Sequence, residues 1–224
     1  MIMAFDGSSV DGSAYLDVVR LARDAPGWLD GAMSFWSTYG LAVFAVLAGV
    51  RWWSARRAGG AVAVRALAVP VVVVVAYGVD AVAKLLVRED RPCQSLRVRT
   101  LEACPAPGDW SFPSNHAAIA AAAAVALLFV SRRLGVVAVV AALAMALSRV
   151  WVGAHYPHDA AVGLVVGALV ALLSMRTLRR WSGPLAAWIA STPLSVLVAA
   201  EAETAAVPQD TQDTNAAFVA ETAS

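Results

Sequence analysis

Residues 114–176 read SNHAAIAAAAAVALLFVSRRLGVVAVVAALAMALSRVWVGAHYPHDAAVGLVVGALVALLSMR. Apolar runs rich in Ala, Val and Leu are separated by two polar breaks, one at Ser131-Arg132-Arg133 and one from Ser148 to Asp159. Runs of this kind are read as helices crossing the roughly 30 Å hydrocarbon core of a bilayer. Two more lie upstream, at 33–53 and 61–87, the latter with a kink expected at Pro70. The chain has 224 residues and is 60% apolar, a fraction that soluble domains of this size seldom reach. The expected fold is an all-α integral membrane bundle of about five transmembrane helices. They cover 33–53, 61–87, 114 to just before Arg132, 134–152, and 157 to just before Arg176.

The flanks differ in composition. Residues 1–31 carry Asp6, Asp11, Asp17, Asp24 and Asp30 among spaced apolar side chains, the pattern of an amphipathic helix at the membrane interface. Residues 32–180 form the transmembrane domain. Gly183-Pro184 opens a short apolar segment, 181–200, and residues 201–224 read as a disordered acidic tail. A net charge of +1 gives no basic surface for nucleic acid. Residues 1–30 lack a basic start followed by an apolar run, so insertion is expected to depend on the helices themselves. Cys93 and Cys104 share one polar loop, either bridged in an oxidising compartment or as two separate thiols.

Arginine placement suggests an orientation. Arg51, Arg56, Arg57 and Arg65 lie between the first two helices, Arg132 and Arg133 between the third and fourth, and Arg176, Arg179 and Arg180 after the fifth. With five spans these lie on one side, expected to be cytoplasmic. Arg88, Arg91, Arg97 and Arg99 break the rule, because their loop falls on the other side.

Three polar clusters also fall on that other side, because successive spanning helices alternate in direction. Lys84 and Arg91 close the second helix, Pro113 to His116 open the third, and Ser148-Arg149 to Asp159 join the fourth to the fifth. Several ionisable groups gathered at such positions point to function. Arg91 can grip two phosphate oxygens with its planar fork, and Lys84 can act as a point charge. Lys84 could instead pair with Asp80 or snorkel to the interface. Ser114 sits at a helix N-cap, where free amides also suit an anion, and Asn115 and His116 follow it. Arg149 could serve only the helix dipole. Asp159, in the first turn of the fifth helix, is placed to reach His155, fixing its tautomer and freeing the other nitrogen to attack; a structural pair is the alternative. His158 has no partner in sequence and reads as an interface residue. Gly163 and Gly167 have the spacing of close helix packing, with dimerisation as a further use.

KLLVREDRP at 84–92, PSNH at 113–116 and SRVWVGAHYPHD at 148–159 resemble the type-2 phosphatidic acid phosphatase superfamily of membrane lipid phosphatases. WSFPSNHA, SRVWVGAHYP and LDGAMSFWSTYGLAVF (29–44) further resemble its bacterial undecaprenyl-diphosphatase branch. The resemblance covers about 33–175. It implies a cofactor-free, metal-independent phosphatase with His155 as nucleophile, Asp159 orienting it and His116 as acid and then base. Lys84, Arg91, Ser114, Asn115 and Arg149 would bind the phosphoryl oxygens. Asn115 stands where the commonest family wording has Gly, a departure bearing on substrate preference.

The expected substrate is a polyprenyl diphosphate or phosphate at the outer face of the plasma membrane, in recycling of an envelope lipid carrier. Phosphatidic acid, phosphatidylglycerol phosphate or another polyprenyl-linked phosphate comes second. A non-catalytic anion-conducting bundle and a vanadate-holding haloperoxidase are competing classes; the latter are typically soluble.

Overall fold

A computed structural model describes residues 5–198; the acidic tail lies outside them. Every regular element described is helical: α1 (Ser8–Asp24), α2 (Gly27–Tyr39), α3 (Leu41–Ala55), α4 (Gly60–Val87), the single turn α5 (Pro92–Ser95), α6 (Asn115–Leu128), α7 (Arg132–Trp151) and α8 (Pro157–Ala190), then a 3₁₀ turn (Pro193–Leu197).

Three helices, α4, α7 and α8, are each long and apolar enough to cross a bilayer, and α2 with α3 make a fourth, bent by 53°. The bend replaces the straight helix expected over 33–53. A Cβ at Gly40 would lie 2.5 Å from the Trp36 carbonyl and 2.7 Å from Met145 Cε, so the missing side chain lets α7 press into the bend. The expected third span is shorter than a membrane crossing. With 14 residues, α6 rises about 21 Å, whereas a span needs about 20 residues. It runs through the bundle centre, its alanines Ala117, Ala118, Ala120 to Ala124 and Ala126 buried against α4, α7 and α8. The short side chains let three helices close around it, leaving valines and leucines of α4, α7 and α8 on the outside as a belt for lipid.

Gly163 and Gly167 serve this packing. A Cβ on Gly163 would come within 2.5 Å of the Ser114 carbonyl, and one on Gly167 would collide with that of Ala118. That face of α8 is therefore filled by α6 of the same chain. The break expected at Gly183-Pro184 is also absent: α8 continues through Pro184 to Ala190. The last turns of this 34-residue helix pack against the 3₁₀ turn, with Ala186 and Val198 sharing a small core with Ala55, Ala63 and Val64.

At the opposite end, α1 lies across the bundle. Its apolar face buries Tyr15 and Val19 against Val150, Tyr156 and Ala160, and the Tyr15 hydroxyl donates to the Gly153 carbonyl at 3.0 Å. Gly153 has φ +83°, and a Cβ there would strike Thr100, so glycine is required on both counts. Cys93 and Cys104 are bonded (S–S 2.02 Å) and close the loop after α4.

Candidate active site

Each site residue sits where a helix starts or stops. The last turn of α4 carries Lys84, and the helix ends at Arg88 in the left-handed region. The chain then pairs with the N-terminus: Phe5 N–H donates to the Arg88 carbonyl (3.1 Å) and Asp90 N–H to the Phe5 carbonyl (3.0 Å). Arg91 follows, pinned by Pro92 at the start of α5. Ser114 stands at the N-cap position of α6, Arg149 lies in the last turn of α7, and His155 occupies the turn before α8. Backbone bonds lock these ends together: Ser114 N–H to the Asp159 carbonyl (3.1 Å), His155 N–H to the Arg149 carbonyl (3.2 Å) and Ser111 N–H to the Glu89 carbonyl (2.7 Å).

The centre is His155, only 2% exposed. Its Nδ1 lies 3.4 Å from Asp159 Oδ2 and 3.4 Å from the Ser111 hydroxyl, which itself donates to Asp159 Oδ2. Asp159 Oδ2 also accepts from Tyr156 N–H at 2.9 Å. On the other side of the ring, Nε2 lies 3.4 Å from Arg91 Nη1. Burial pushes the imidazole down to about 3, against the pull of Asp159 and with help from Arg91 and Arg149. A neutral ring with its proton on Nδ1, toward the carboxylate, presents an Nε2 lone pair to whatever Arg91 holds.

Around this dyad the predicted cations converge. Arg91 donates through Nε to the Asp109 carbonyl, through Nη2 to Asp109 Oδ1 and through Nη1 to the Ala154 carbonyl, each at 3.0 Å. Lys84 donates to the carbonyls of Trp110 (2.8 Å) and Ser111 (3.1 Å) rather than pairing with Asp80, whose buried carboxylate has no hydrogen-bond partner among the described residues. Arg149 binds Ser37 and both oxygens of Glu102 (3.0 and 3.1 Å), while its Nε has no partner. Ser114 holds the N-cap position but makes no cap bond; its buried hydroxyl and the Asn115 side-chain oxygen are both unpartnered. His116 lies within electrostatic reach of Arg149, Glu102, Arg91 and Lys84. Three cations, an unused hydroxyl and a helix N-terminus thus face one neutral imidazole, an arrangement suited to a phosphoryl group.

His158 differs from its reading as an interface residue. Its Nδ1 meets Asp11 at 2.8 Å, and its Nε2 meets Glu89 at 3.1 Å and Asp159 Oδ1 at 3.3 Å. Glu89 is fully buried, and that burial raises its carboxyl above the usual range, opposed by the His158 hydrogen bond. Glu89, His158 and Asp159 also form the one group among the described residues whose donor atoms lie close enough together for a metal ion. Sequence spacing could not show it, because Glu89 comes from a separate loop. Both His158 nitrogens already face carboxylates, which fits a charged imidazole bridging acids better than a ligand. Ser111, Glu102, Asp109 and Ser37 were also missed as site residues; the one available signal was acidic side chains in a loop that also holds four arginines.

The model of the PAP2 superfamily matches residues 65–182, just over half of the chain. The chain belongs to the PAP2 superfamily. PAP2 relatives include the undecaprenyl-diphosphatase BcrC of Bacillus subtilis, 41% identical over 88 residues, covering 39% of this chain and 45% of the relative. An undecaprenyl-diphosphatase of Sulfolobus acidocaldarius is 37% identical, covering 32% and 35%. The decaprenylphosphoryl-5-phosphoribose phosphatase of Mycobacterium tuberculosis is 40% identical, covering 43% and 51%. The chain therefore spans about half or less of the length of these curated PAP2 relatives. No solved structure matches it.

Proposed function

We propose that this protein is a membrane lipid phosphatase that cleaves a polyprenyl diphosphate or phosphate through a phosphohistidine on His155, supporting recycling of an envelope lipid carrier. The observation that carries the reading is the buried imidazole held between Asp159 and Arg91. In the first step Nε2 attacks phosphorus, and the bond to the leaving oxygen breaks as His116 gives that oxygen a proton. In the second, His116 takes a proton from water while the water oxygen attacks the phosphohistidine. The P–N bond breaks, inorganic phosphate leaves and both histidines are restored. Lys84, Arg91, Ser114, Arg149 and the amides near Asn115 hold the three equatorial oxygens, where charge accumulates in the transition state. These cations supply the positive charge that a metal would otherwise bring.

Residues 32–180 would form the catalytic domain. The site is proposed to open on the outer side of the plasma membrane, which the arginines at the opposite end and the bonded cysteines support. A lipid monophosphate is the second reading, favoured by similarity to the decaprenylphosphoryl-5-phosphoribose phosphatase and to a lipid A 1-phosphatase of Rhizobium johnstonii, 46% identical over 66 residues. The test is phosphate release by purified protein in detergent from polyprenyl diphosphate, phosphatidic acid and phosphatidylglycerol phosphate, with and without chelator. Release is expected to be fastest from the polyprenyl substrate and unchanged by chelator. Anion flux in vesicles with no phosphate release would replace the enzyme by an anion path.

A further inference from the structure

The polar segment between α5 and α6, which begins inside the Cys93–Cys104 disulfide loop and runs on past it, reaches every cation of the candidate phosphate site. Asp109 lies on Arg91, Glu102 lies on Arg149, and the carbonyls of Trp110 and Ser111 take Lys84. Ser37 donates to Glu102 Oε1 at 2.6 Å and so fixes that carboxylate from the α2 side. These contacts lie outside the apolar core that packs α4, α6, α7 and α8 together.

We propose that Glu102 and Asp109 are specificity-determining residues that occupy Arg149 and Arg91 in place of phosphate and so shut soluble phosphate out of the site. The inference rests on the phosphatase reading above. Two carboxylates carry the same charge as one phosphoryl dianion, so a substrate phosphoryl can replace both without changing the charge of the pocket. Because the loop is tethered, its carboxylates compete at a high effective concentration. Free phosphate in water meets that competition unaided. A lipid phosphate is confined by its apolar tail to the membrane beside the site, and that high local concentration offsets what displacement costs. Discrimination then comes from an intramolecular rival as well as from contacts to the substrate. The same rivalry helps product leave, because the carboxylates return to the arginines as phosphate departs.

The proposal predicts how the site responds when one rival is removed without loss of shape. Glu102→Gln and Asp109→Asn keep the side-chain outline but not the charge. Inhibition of lipid phosphate turnover by inorganic phosphate and orthovanadate would be measured in both variants and in the double variant. Each single change is expected to lower the phosphate inhibition constant by about tenfold, the double by more, and to narrow the preference for lipid phosphate over a soluble phosphate ester. Inhibition constants that stay level or rise would overturn it. Asp109 is half exposed, so Asp109→Asn stays informative even if Glu102→Gln impairs folding. If the wild-type protein releases phosphate from no lipid, the phosphatase reading fails on its own. Stabilisation of the same proteins by orthovanadate in thermal unfolding then still decides the proposal: stronger stabilisation of the variants supports it, and equal stabilisation ends it.

Discussion

The two ends of the bundle hold arginines in opposite ways. At the site end, Arg91 and Arg149 are 7% exposed, and each lies against a carboxylate and further acceptors. At the other end, Arg51 donates to the Val130 carbonyl, Arg65 to that of Ala61, and Arg56 stacks on Trp52 and Trp53; Arg176, Arg179 and Arg180 are exposed. None of the described ion pairs involves these residues. The second set suits the proposed cytoplasmic side, where long side chains can reach water from an apolar stem. The first set lies at a depth where a lone charge is costly, so each member carries partners that hold it in one geometry. The buried, partnered pair Arg91 and Arg149 belongs to the proposed phosphate site, whereas the less buried set at the other end fits the proposed cytoplasmic face.

The sharpest way to break this contrast is at its centre. His155→Ala is expected to reduce phosphate release by about 10⁴-fold or more in a protein that still folds, with a lowered thermal midpoint because a buried ring is removed. Normal turnover in that variant would remove the nucleophile assignment. The next test uses pH. Burial lowers the His155 imidazole from 6.5 to about 3, so NMR should find the ring neutral well below pH 6. The sign of the linkage follows: the unfolded chain binds a proton near 6.5 that the folded chain refuses. This contribution to stability is therefore complete above that pH and is lost as pH falls toward about 3. A ring titrating near 6.5 would refute the burial. Ser111→Ala removes the hydroxyl shared by His155 and Asp159 and should cost about tenfold in kcat with KM little changed. The smallest effect belongs to the far end. Arg179→Gln should alter kcat/KM by less than about twofold and instead lower the fraction inserted in the native orientation, read by labelling of accessible sites.

Much of this was legible in the sequence because helix ends carry strong local marks. The Pro113-Ser114 start of α6, the Tyr156-Pro157 start of α8 and the apolar runs fixed which ends meet, and that alone brought Lys84, Arg91, Ser114, Arg149, His155 and Asp159 to one surface. What escaped depends on loops that fold back. Glu102, Asp109 and Ser111 reach the site through a path set by the disulfide and by pairing of Phe5 with Glu89, neither of which leaves a periodic signal. His158 was misread for the same reason, since Asp11 and Glu89 approach it from distant segments. The bend at Gly40 and the continuation through Pro184 depend on what packs around the backbone rather than on the residue alone.

The alanine tract of α6 has a consequence for how the protein can vary. It works as a spacer bar whose thickness sets how far apart its neighbours stand, because its first residues are Asn115 and His116 and its flanks touch the helices that bear Lys84, Arg149 and Asp159. A single bulkier side chain midway along the bar would spread the proposed phosphate-holding groups several turns away, so tolerance to mutation here should track residue girth more closely than hydrophobicity.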